Sequence, residues 1–176
     1  DSLNQILTSG HHLLQLINEM LDLAQIESGH MVVHSEAVSF KNVLDGCLIG
    51  VSTLAESYKV DVRAEASEDI LLRADEVRFR QIMLNLLSNA IKYNRPSGKV
   101  TIKTALRGSM CRIYVADTGP GLAEEDATQV FEPFNRLGWE NSETEGTGIG
   151  LAICKRLIEA MSGNIGYTSE INEGTT

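Results

Sequence analysis

The sequence predicts an α+β fold in which helices cover one face of an antiparallel or mixed sheet, preceded by one long bundle helix. Three patterns indicate this fold. Apolar residues recur every three or four positions along residues 3–24, as in a helical bundle. Two alternating runs, KVTIKTALR and SMCRIYVAD, meet at Gly108-Ser109 and predict a β-hairpin. Amphipathic helical patterns that begin near Lys41 and after Asp75 supply the covering helices.

Residues 1–29 are predicted to form the C-terminal part of a helical bundle. Gly29 is suited to end this helix. A narrow apolar seam of this length is not stable alone, so the helix is expected to dimerise. The alternative is a helix that folds back on its own domain. The seam consists of Leu3, Ile6, Leu13, Ile17, Met20 and Ala24, with a flanking row of Leu7, Leu14 and Leu21.

Residues 30–176 are predicted to form one domain. Strands are expected at 32–40, 59–66, 69–74, in the hairpin, and late in the chain at 164–170. One helix should run from about Lys41 to Tyr58, and Asp75 should cap a second helix that ends before the turn NRPSG. No regular pattern lasts long between Thr118 and Glu145, after which a glycine loop enters a final helix.

Composition excludes several classes of function. A net charge of −9 argues against a general nucleic-acid surface, which would need a basic face. No apolar run approaches the roughly 18 residues of a membrane span, and no signal peptide opens the chain. We therefore expect a cytoplasmic location without membrane contact for these residues, and leave open a membrane anchor elsewhere in the full-length protein. Cys47, Cys111 and Cys154 lie far apart without metal-ligand spacing, and we interpret them as reduced core thiols.

The helix after Asp75 carries a polar stripe in an otherwise apolar run. Asn85 and Asn89 are four residues apart, so they share one face of the helix with Lys92. The carbonyl oxygen of Asn85 is a hard, neutral ligand that suits magnesium, and Asn89 and Lys92 could contact phosphate. The alternative is that both amides only bond nearby backbone groups.

Two glycine-containing stretches could complete a nucleotide site. Asp117 ends an apolar strand beside Gly119 and Gly121, and it could accept a hydrogen bond from an amine such as that of adenine; it could also belong to a simple turn. Gly146, Gly148 and Gly150 precede a helix whose N-terminal amides favour an anion. The loop lacks the strand of a dinucleotide fold and the Lys-Ser/Thr of a P-loop. All three sites fit one ligand with a metal, phosphates and adenine.

These motifs together resemble the catalytic and ATP-binding domain of two-component sensor histidine kinases, in the superfamily that includes gyrase, Hsp90 and MutL. NLLSNAIKY resembles the N box, DTGPG the G1 box, FEPFNR the F box and GTGIGLAICKRL the G2 box, in the family's order. The resemblance implies a two-layer α/β sandwich in which MgATP lies beneath a mobile lid. The family usually continues into a final strand, so the chain is expected to be truncated after GTT.

The resemblance also assigns roles to residues. Asn85 corresponds to the magnesium ligand, and Asp117 to the aspartate that recognises the adenine amine. Phe131, Phe134 and Arg136 correspond to the lid segment, with Arg136 as a candidate catalytic residue at the terminal phosphates. The implied nucleotide contacts are Asn85, Asn89, Lys92, Tyr93, Asp117, Gly119, Gly121, Arg136, Gly146, Thr147, Gly148, Ile149, Gly150 and Leu151.

The implied activity is transfer of the γ-phosphoryl group of MgATP to a histidine of the dimerisation and phosphotransfer domain, for relay to a response regulator. The full-length protein would be a homodimer. The family's phosphoacceptor motif is absent, and His11, His12, His30 and His34 are interpreted as ordinary residues. One alternative is an ATP-hydrolysing switch, but its relatives carry a glutamate where this chain has Gln81, a poor base. The other is a docking module that has lost ATP.

Overall fold

The computed structural model describes residues 2–29, 31–65, 69–123, 129–136 and 146–176. Four helices and seven strands lie within these ranges. In chain order they are α1 (Ser2–Glu27), β1 (Glu36–Ser39), α2 (Phe40–Tyr58), β2 (Asp61–Ala64), β3 (Leu71–Ala74), α3 (Glu76–Lys92), β4 (Lys99–Arg107), β5 (Met110–Asp117), α4 (Gly150–Ala160), β6 (Ser169–Glu170) and β7 (Gly174–Thr175).

The main sheet has three strands in the order β2-β4-β5. Strand β2 runs parallel to β4, with Asp61 opposite Lys99. Strands β4 and β5 form the predicted antiparallel hairpin, in which Arg107 pairs with Met110 and Val100 pairs with Asp117. Two small antiparallel pairs, β1-β3 and β6-β7, lie outside this sheet. The predicted mixed sheet is therefore confirmed.

Helices α2 and α3 cover one face of the sheet. Val100 and Ile102 of β4 are fully buried beneath them, and Phe40 and Phe79 join the two helices with ring centroids 6.3 Å apart. A second cluster joins α3 to α4 through Ile82 and Ile153. Each such buried side chain stabilises the fold by about 1.5–3 kcal/mol. Helix α3 therefore packs on two sides, which fixes its rotation about its own axis.

Asp75 caps α3 as predicted. Its Oδ1 accepts a hydrogen bond of 3.1 Å from the N–H of Arg78, in the first turn of the helix. Its Oδ2 accepts a 3.0 Å bond from the N–H of His34, so the same carboxylate fixes the chain that leads into β1. Burial alone would raise the pKa of Asp75, but the bonds from His34 and Arg78 outweigh it and lower the pKa below its ordinary value of 3.8.

Helix α1 ends at Glu27 and is followed by Gly29 in a left-handed conformation, as expected of a helix stop. The seam residues Ile6, Leu13, Ile17 and Met20 are between 46% and 68% exposed. The opposite face packs on the α3-α4 cluster through Leu16, Leu23 and Ile26. The alternative that α1 contacts its own domain is thus observed, while the seam on the other side is uncovered.

Three predictions need correction. The strand expected at 32–40 is only β1. Its partner β3 ends at Ala74, opposite Glu36, and at the other end Ser39 caps α2 by accepting a 3.1 Å bond from the N–H of Asn42. The strand expected at 164–170 is only β6, because pairing starts where Thr168 exchanges hydrogen bonds with Thr176. Cys111 is not a core thiol: it lies beside the turn of the hairpin, opposite Leu106, and is partly exposed. Cys47 and Cys154 are buried, and all three are free thiols as predicted.

Replacement of Asp75 by alanine should lower the free energy of unfolding by about 1–3 kcal/mol, because two backbone N–H groups lose their acceptor. The pKa of Asp75 is lowered, so its stabilisation is present above pH 3.8 and is lost as the pH falls through the lowered pKa. Urea unfolding of Asp75→Ala at several pH values measures both effects. The exposed Asp45→Ala on α2 is the control, and an equal loss in both variants would contradict the capping role.

Candidate functional site

The polar stripe of α3 meets the start of α4. The Nδ2 of Asn85 donates a 3.4 Å hydrogen bond to the carbonyl oxygen of Gly150. Asn85, Asn89 and Lys92 are all partly buried, so the stripe lies at the edge of the core. Because α3 is packed on two other sides, this polar face has one fixed direction, toward the glycine loop (residues 146–150). The structure thus brings the first and third predicted sites together.

Asp117 is the last residue of β5, and its carboxylate bonds backbone N–H groups of two other segments. Its Oδ1 accepts hydrogen bonds from the N–H groups of Gly119, at 2.7 Å, and Thr175, at 3.3 Å. Burial raises the pKa of Asp117, and these two bonds and the charge of Arg95 offset only part of that effect. A desolvated carboxylate that is an acceptor only is well suited to bind an amine donor.

The DTGPG turn (residues 117–121) approaches the end of α3 closely. A Cβ atom on Gly119 would lie 2.7 Å from the carbonyl oxygen of Tyr93 and 2.8 Å from Oδ1 of Asp117, so no side chain fits there. Gly121 has a φ of +73°, and a Cβ atom on it would lie 2.2 Å from the carbonyl oxygen of Glu170. These two glycines are therefore required by close contact, which is more than a simple turn demands.

The glycine loop joins three parts of the chain. A Cβ atom on Gly146 would lie 2.7 Å from the hydroxyl oxygen of Tyr93. Gly148 has a φ of +72°, and its carbonyl oxygen accepts a 2.9 Å hydrogen bond from the N–H of Phe134. At the start of α4, Ile149 provides no capping side chain. The first-turn amides of α4 are thus not bonded by a side chain at the cap position, as an anion site requires.

The FEPFNR segment (residues 131–136) lies against this loop. The N–H of Phe134 donates a hydrogen bond to the carbonyl oxygen of Gly148. The ring of Phe131 meets the ring of Tyr167 edge-on, with centroids 6.1 Å apart, and the Nζ of Lys155 lies 5.6 Å from the Phe131 centroid. Arg136, two residues after Phe134, is partly buried. The lid expected between 122 and 145 lies largely outside the described residues, because 124–128 and 137–145 are among those not described. Its mobility stays a prediction.

Other predicted nucleotide contacts lie near the polar stripe of α3 and the glycine loop. Tyr93 follows the last residue of α3 and contacts both Gly119 and Gly146, so it links the DTGPG turn to the glycine loop. Leu151 is partly buried in the first turn of α4. Ile149 is fully buried in the α3-α4 core, so only its backbone is available to a ligand.

A metal ion would fit this site only together with a ligand. Within the described residues no three His, Cys, Asp or Glu side chains are grouped as a metal site. Asn85 uses Nδ2 to bond Gly150, which leaves Oδ1 as the atom for a cation. Magnesium commonly keeps several waters and binds substrate phosphates. Asn85 therefore fits as one ligand of magnesium that arrives with a phosphate group.

Sequence patterns missed residues that hold the site in shape. Arg95 donates hydrogen bonds to the carbonyl oxygens of Thr118, Gly119 and Asn172, which fixes the DTGPG turn. Asn94 bonds the carbonyl oxygens of Ala90 and Lys99 through Nδ2. The sequence NRPSG predicted a turn. It did not predict that Arg95 in this turn bonds residues more than twenty positions away in the chain.

Comparisons with known proteins agree with this geometry. The family profile described as "Histidine kinase-, DNA gyrase B-, and HSP90-like ATPase" matches residues 74–176. The non-motile and phage-resistance protein of Caulobacter vibrioides is 36% identical over 174 residues, 96% of this chain and 21% of that protein. The circadian input-output histidine kinase CikA of Synechococcus elongatus is 36% identical over 96% of this chain and 23% of that protein. The chain thus spans about a fifth of their length.

Solved structures of histidine kinases share the fold. Full-length ShkA in complex with AMPPNP superposes with a TM-score of 0.81 and 34% identity, over 96% of this chain and 35% of that chain. Histidine kinase ThkA in complex with the response regulator protein TrrA gives a TM-score of 0.74 and 23% identity, over 99% of this chain and 48% of that chain. The second likeness concerns the fold alone.

The raised pKa of Asp117 predicts a pH-dependent loss of folding stability. Because folding raises this pKa above 3.8, the folded state loses stability as the pH rises from 3.8 through the raised pKa. Asp117→Asn keeps an oxygen for Gly119 and Thr175 but has no charge to desolvate. It should gain stability over the parent across this pH range, as measured by urea unfolding.

The matched control is Asp61→Asn, because the side chain of Asp61 is 45% exposed at the surface beside Arg63. If the stability difference between Asp117→Asn and the parent were independent of pH, the desolvation of Asp117 would be refuted.

Proposed function

Because the chain belongs to the family of histidine kinase-, DNA gyrase B- and HSP90-like ATPases, we propose that it transfers the γ-phosphoryl group of MgATP to a histidine side chain. Residues 30–176 are the catalytic, ATP-binding domain in this proposal, and residues 1–29 belong to a dimerisation and phosphotransfer bundle. The observation that carries it is the convergence of three motifs on α3: Asn85 bonds Gly150, and Tyr93 contacts both Gly119 and Gly146.

Each part of the nucleotide has a partner in this arrangement. The adenine amine donates to Asp117, whose burial favours a strong hydrogen bond. The phosphates bind the first-turn amides of α4 together with Asn89, Lys92 and, at the terminal phosphate, Arg136. Asn85 holds magnesium, which neutralises charge on the phosphates. Phosphoryl transfer depends mainly on such positioning and charge stabilisation, so these groups suffice without a protein nucleophile.

The environment of Gln81 favours transfer to histidine over hydrolysis. An ATP-hydrolysing switch needs a base one turn before the metal-binding asparagine, and an amide cannot act as one. The side chain of Gln81 is also engaged elsewhere. Its Nε2 donates a 2.8 Å bond to Asp22 of α1, and its Oε1 accepts a 3.0 Å bond from Arg78. A docking module that has lost ATP is disfavoured because the sequence retains every residue expected to contact the nucleotide.

The acceptor histidine is proposed to lie on another helix of the bundle. The side chains of His11 and His12, and the whole of His30, lie outside the described residues. His34 is exposed, and its backbone N–H is bonded to Asp75. None has the family's phosphoacceptor motif around it. The exposed seam of α1 supports a homodimer, in which each helix packs in a bundle.

A response regulator is the proposed recipient of the phosphoryl group, because the ThkA structure that shares this fold contains one. A cytoplasmic location is proposed from the family. None of the helices in the described part of the chain is long and apolar enough to cross a bilayer.

The role of Asn85 predicts a defect that depends on magnesium. Asn85→Ala removes the metal ligand, so the affinity for MgATP should fall by about tenfold or more, equivalent to about 1.4 kcal/mol. Affinity for ATP measured with a chelator present should change little. Calorimetric titration with and without magnesium measures both. The exposed Asn42→Ala on α2 is the control, and an Asn85→Ala protein that binds MgATP as tightly as this control would exclude the metal role.

The proposed reaction is tested by transfer to a separate bundle domain that carries the acceptor histidine. The chain alone should bind labelled MgATP without labelling itself, but it should label the separate domain, because proximity can replace covalent linkage. The product should be acid-labile and base-stable, as a phosphoramidate is. Hydrolysis to phosphate without transfer would favour the ATP-hydrolysing switch. Label on a histidine of this chain would overturn the assignment of the acceptor.

A further inference from the structure

A buried cysteine joins α4 to the helix that carries the polar stripe. Cys154 lies in α4 and is fully buried in the cluster that includes Ile82 of α3. Its Sγ donates a 3.9 Å hydrogen bond to the carbonyl oxygen of Ile82. Burial raises the pKa of the Cys154 thiol to about 12, and a hydrogen bond from the side chain of Asn85 offsets only part of this effect. The group is therefore a neutral thiol at neutral pH, which can donate a proton and accept one.

The amide of Asn85 donates to two groups of α4. Gly150 and Cys154 are four residues apart, so they share one face of this helix. The Nδ2 of Asn85 donates a 3.4 Å hydrogen bond to the carbonyl oxygen of Gly150, and the same side chain bonds the sulfur of Cys154. An asparagine side chain donates only through its nitrogen, which carries two hydrogens. Each of these hydrogens therefore has an acceptor on α4.

Two acceptors on one side select one orientation of the amide. The oxygen and nitrogen of an asparagine side chain have similar size but opposite hydrogen-bonding character. A Cβ atom on Gly150 would lie 3.6 Å from Nδ2 of Asn85, so the amide lies directly against α4. If the amide were reversed, Oδ1 would face the carbonyl oxygen of Gly150, which is also an acceptor. Oδ1 is consequently held on the side away from α4, where a cation can reach it.

We propose that Cys154 is a positioning residue for magnesium: together with the carbonyl oxygen of Gly150 it fixes the amide of Asn85 with Oδ1 directed at the metal. This rests on the proposed function, in which Asn85 is the magnesium ligand. An apolar residue at position 154 would fill the core as well, but it would leave one N–H of the amide without this acceptor. A ligand atom that is already oriented binds more tightly, because no freedom is lost when the metal arrives.

Cys154→Ala and Cys154→Ser differ by one hydroxyl and separate positioning from packing. Alanine removes the acceptor, so the affinity for MgATP should fall by about three- to tenfold, as the loss of one hydrogen bond implies. The affinity for ATP in the presence of a chelator should not change. Serine again provides an acceptor for Nδ2 and should restore the affinity for MgATP. Equal losses in both variants, a loss that is the same without magnesium, or parental affinity in Cys154→Ala would each overturn the role.

Cys47 provides the matched control for these titrations. It is a buried thiol, 1% exposed, whose Sγ also donates a 3.9 Å hydrogen bond to a carbonyl oxygen of α3, that of Arg80. It lies in the other core cluster, between α2 and α3. Cys47→Ala therefore removes the same atom and the same kind of bond, and it should leave the magnesium dependence unchanged. A loss as large as that of Cys154→Ala would show that any loosening of α3 has this effect, and would refute positioning by Cys154.

The orientation of Asn85 can also be measured without nucleotide or metal. The side-chain amide signals of Asn85 in NMR spectra of isotope-labelled protein are identified by their loss in Asn85→Ala. Exchange of these protons with solvent should be slow in the parent and in Cys154→Ser, and protection should be lost in Cys154→Ala, because the second acceptor is gone. The same spectra verify that each variant is folded. Equal protection in Cys154→Ala and the parent would contradict the bond between Asn85 and Cys154.

Failure of the positioning role and failure of the proposed function give different results. If the parent and all variants bind MgATP equally well, only the role of Cys154 is lost. If the parent does not bind MgATP, the proposed function fails, and the proposal for magnesium fails with it even where the exchange measurement shows the predicted bond.

Discussion

The packing of α3 on two sides is the constraint on which the site depends. Met83 and Leu87 are buried against α2 and the sheet, while Ile82 is buried against α4. Rotation of the helix would expose such side chains at a cost of about 1.5–3 kcal/mol each. The remaining side, which carries Asn85 and Asn89, consequently has one available direction. Two polar residues in an apolar helix are tolerated because the fold leaves that side open and directs it at the glycine loop.

Around α3 the chain accepts arrangements that reduce stability. Asp117 keeps a carboxylate where burial raises its pKa, although an apolar residue would avoid that desolvation. Gly119 and Gly148 give up side-chain packing because a Cβ atom would meet backbone atoms at 2.7 Å and 3.0 Å. These departures lie in the DTGPG turn and the glycine loop, the two segments that approach Tyr93 at the end of α3. Clusters of locally unfavourable residues are typical of functional sites.

Local interactions explain which features could be predicted from the sequence. The hairpin follows from alternation around Gly108, and the start of α3 follows from an aspartate three residues before the N–H it caps. Strand lengths depend on a partner strand, so β6 is much shorter than its apolar pattern suggests. Arg95 was missed for the same reason: its acceptors, Thr118 and Asn172, come close only once the chain has folded.

Helix α1 shows how periodicity can reveal one face and conceal another. Its seam repeats over many turns and is visible in the sequence, whereas the docked face combines Leu16 and Leu23 with isolated carboxylates. The two faces lie on opposite sides, so a helix packed on the seam would not compete for the contacts of Asp22 with α3.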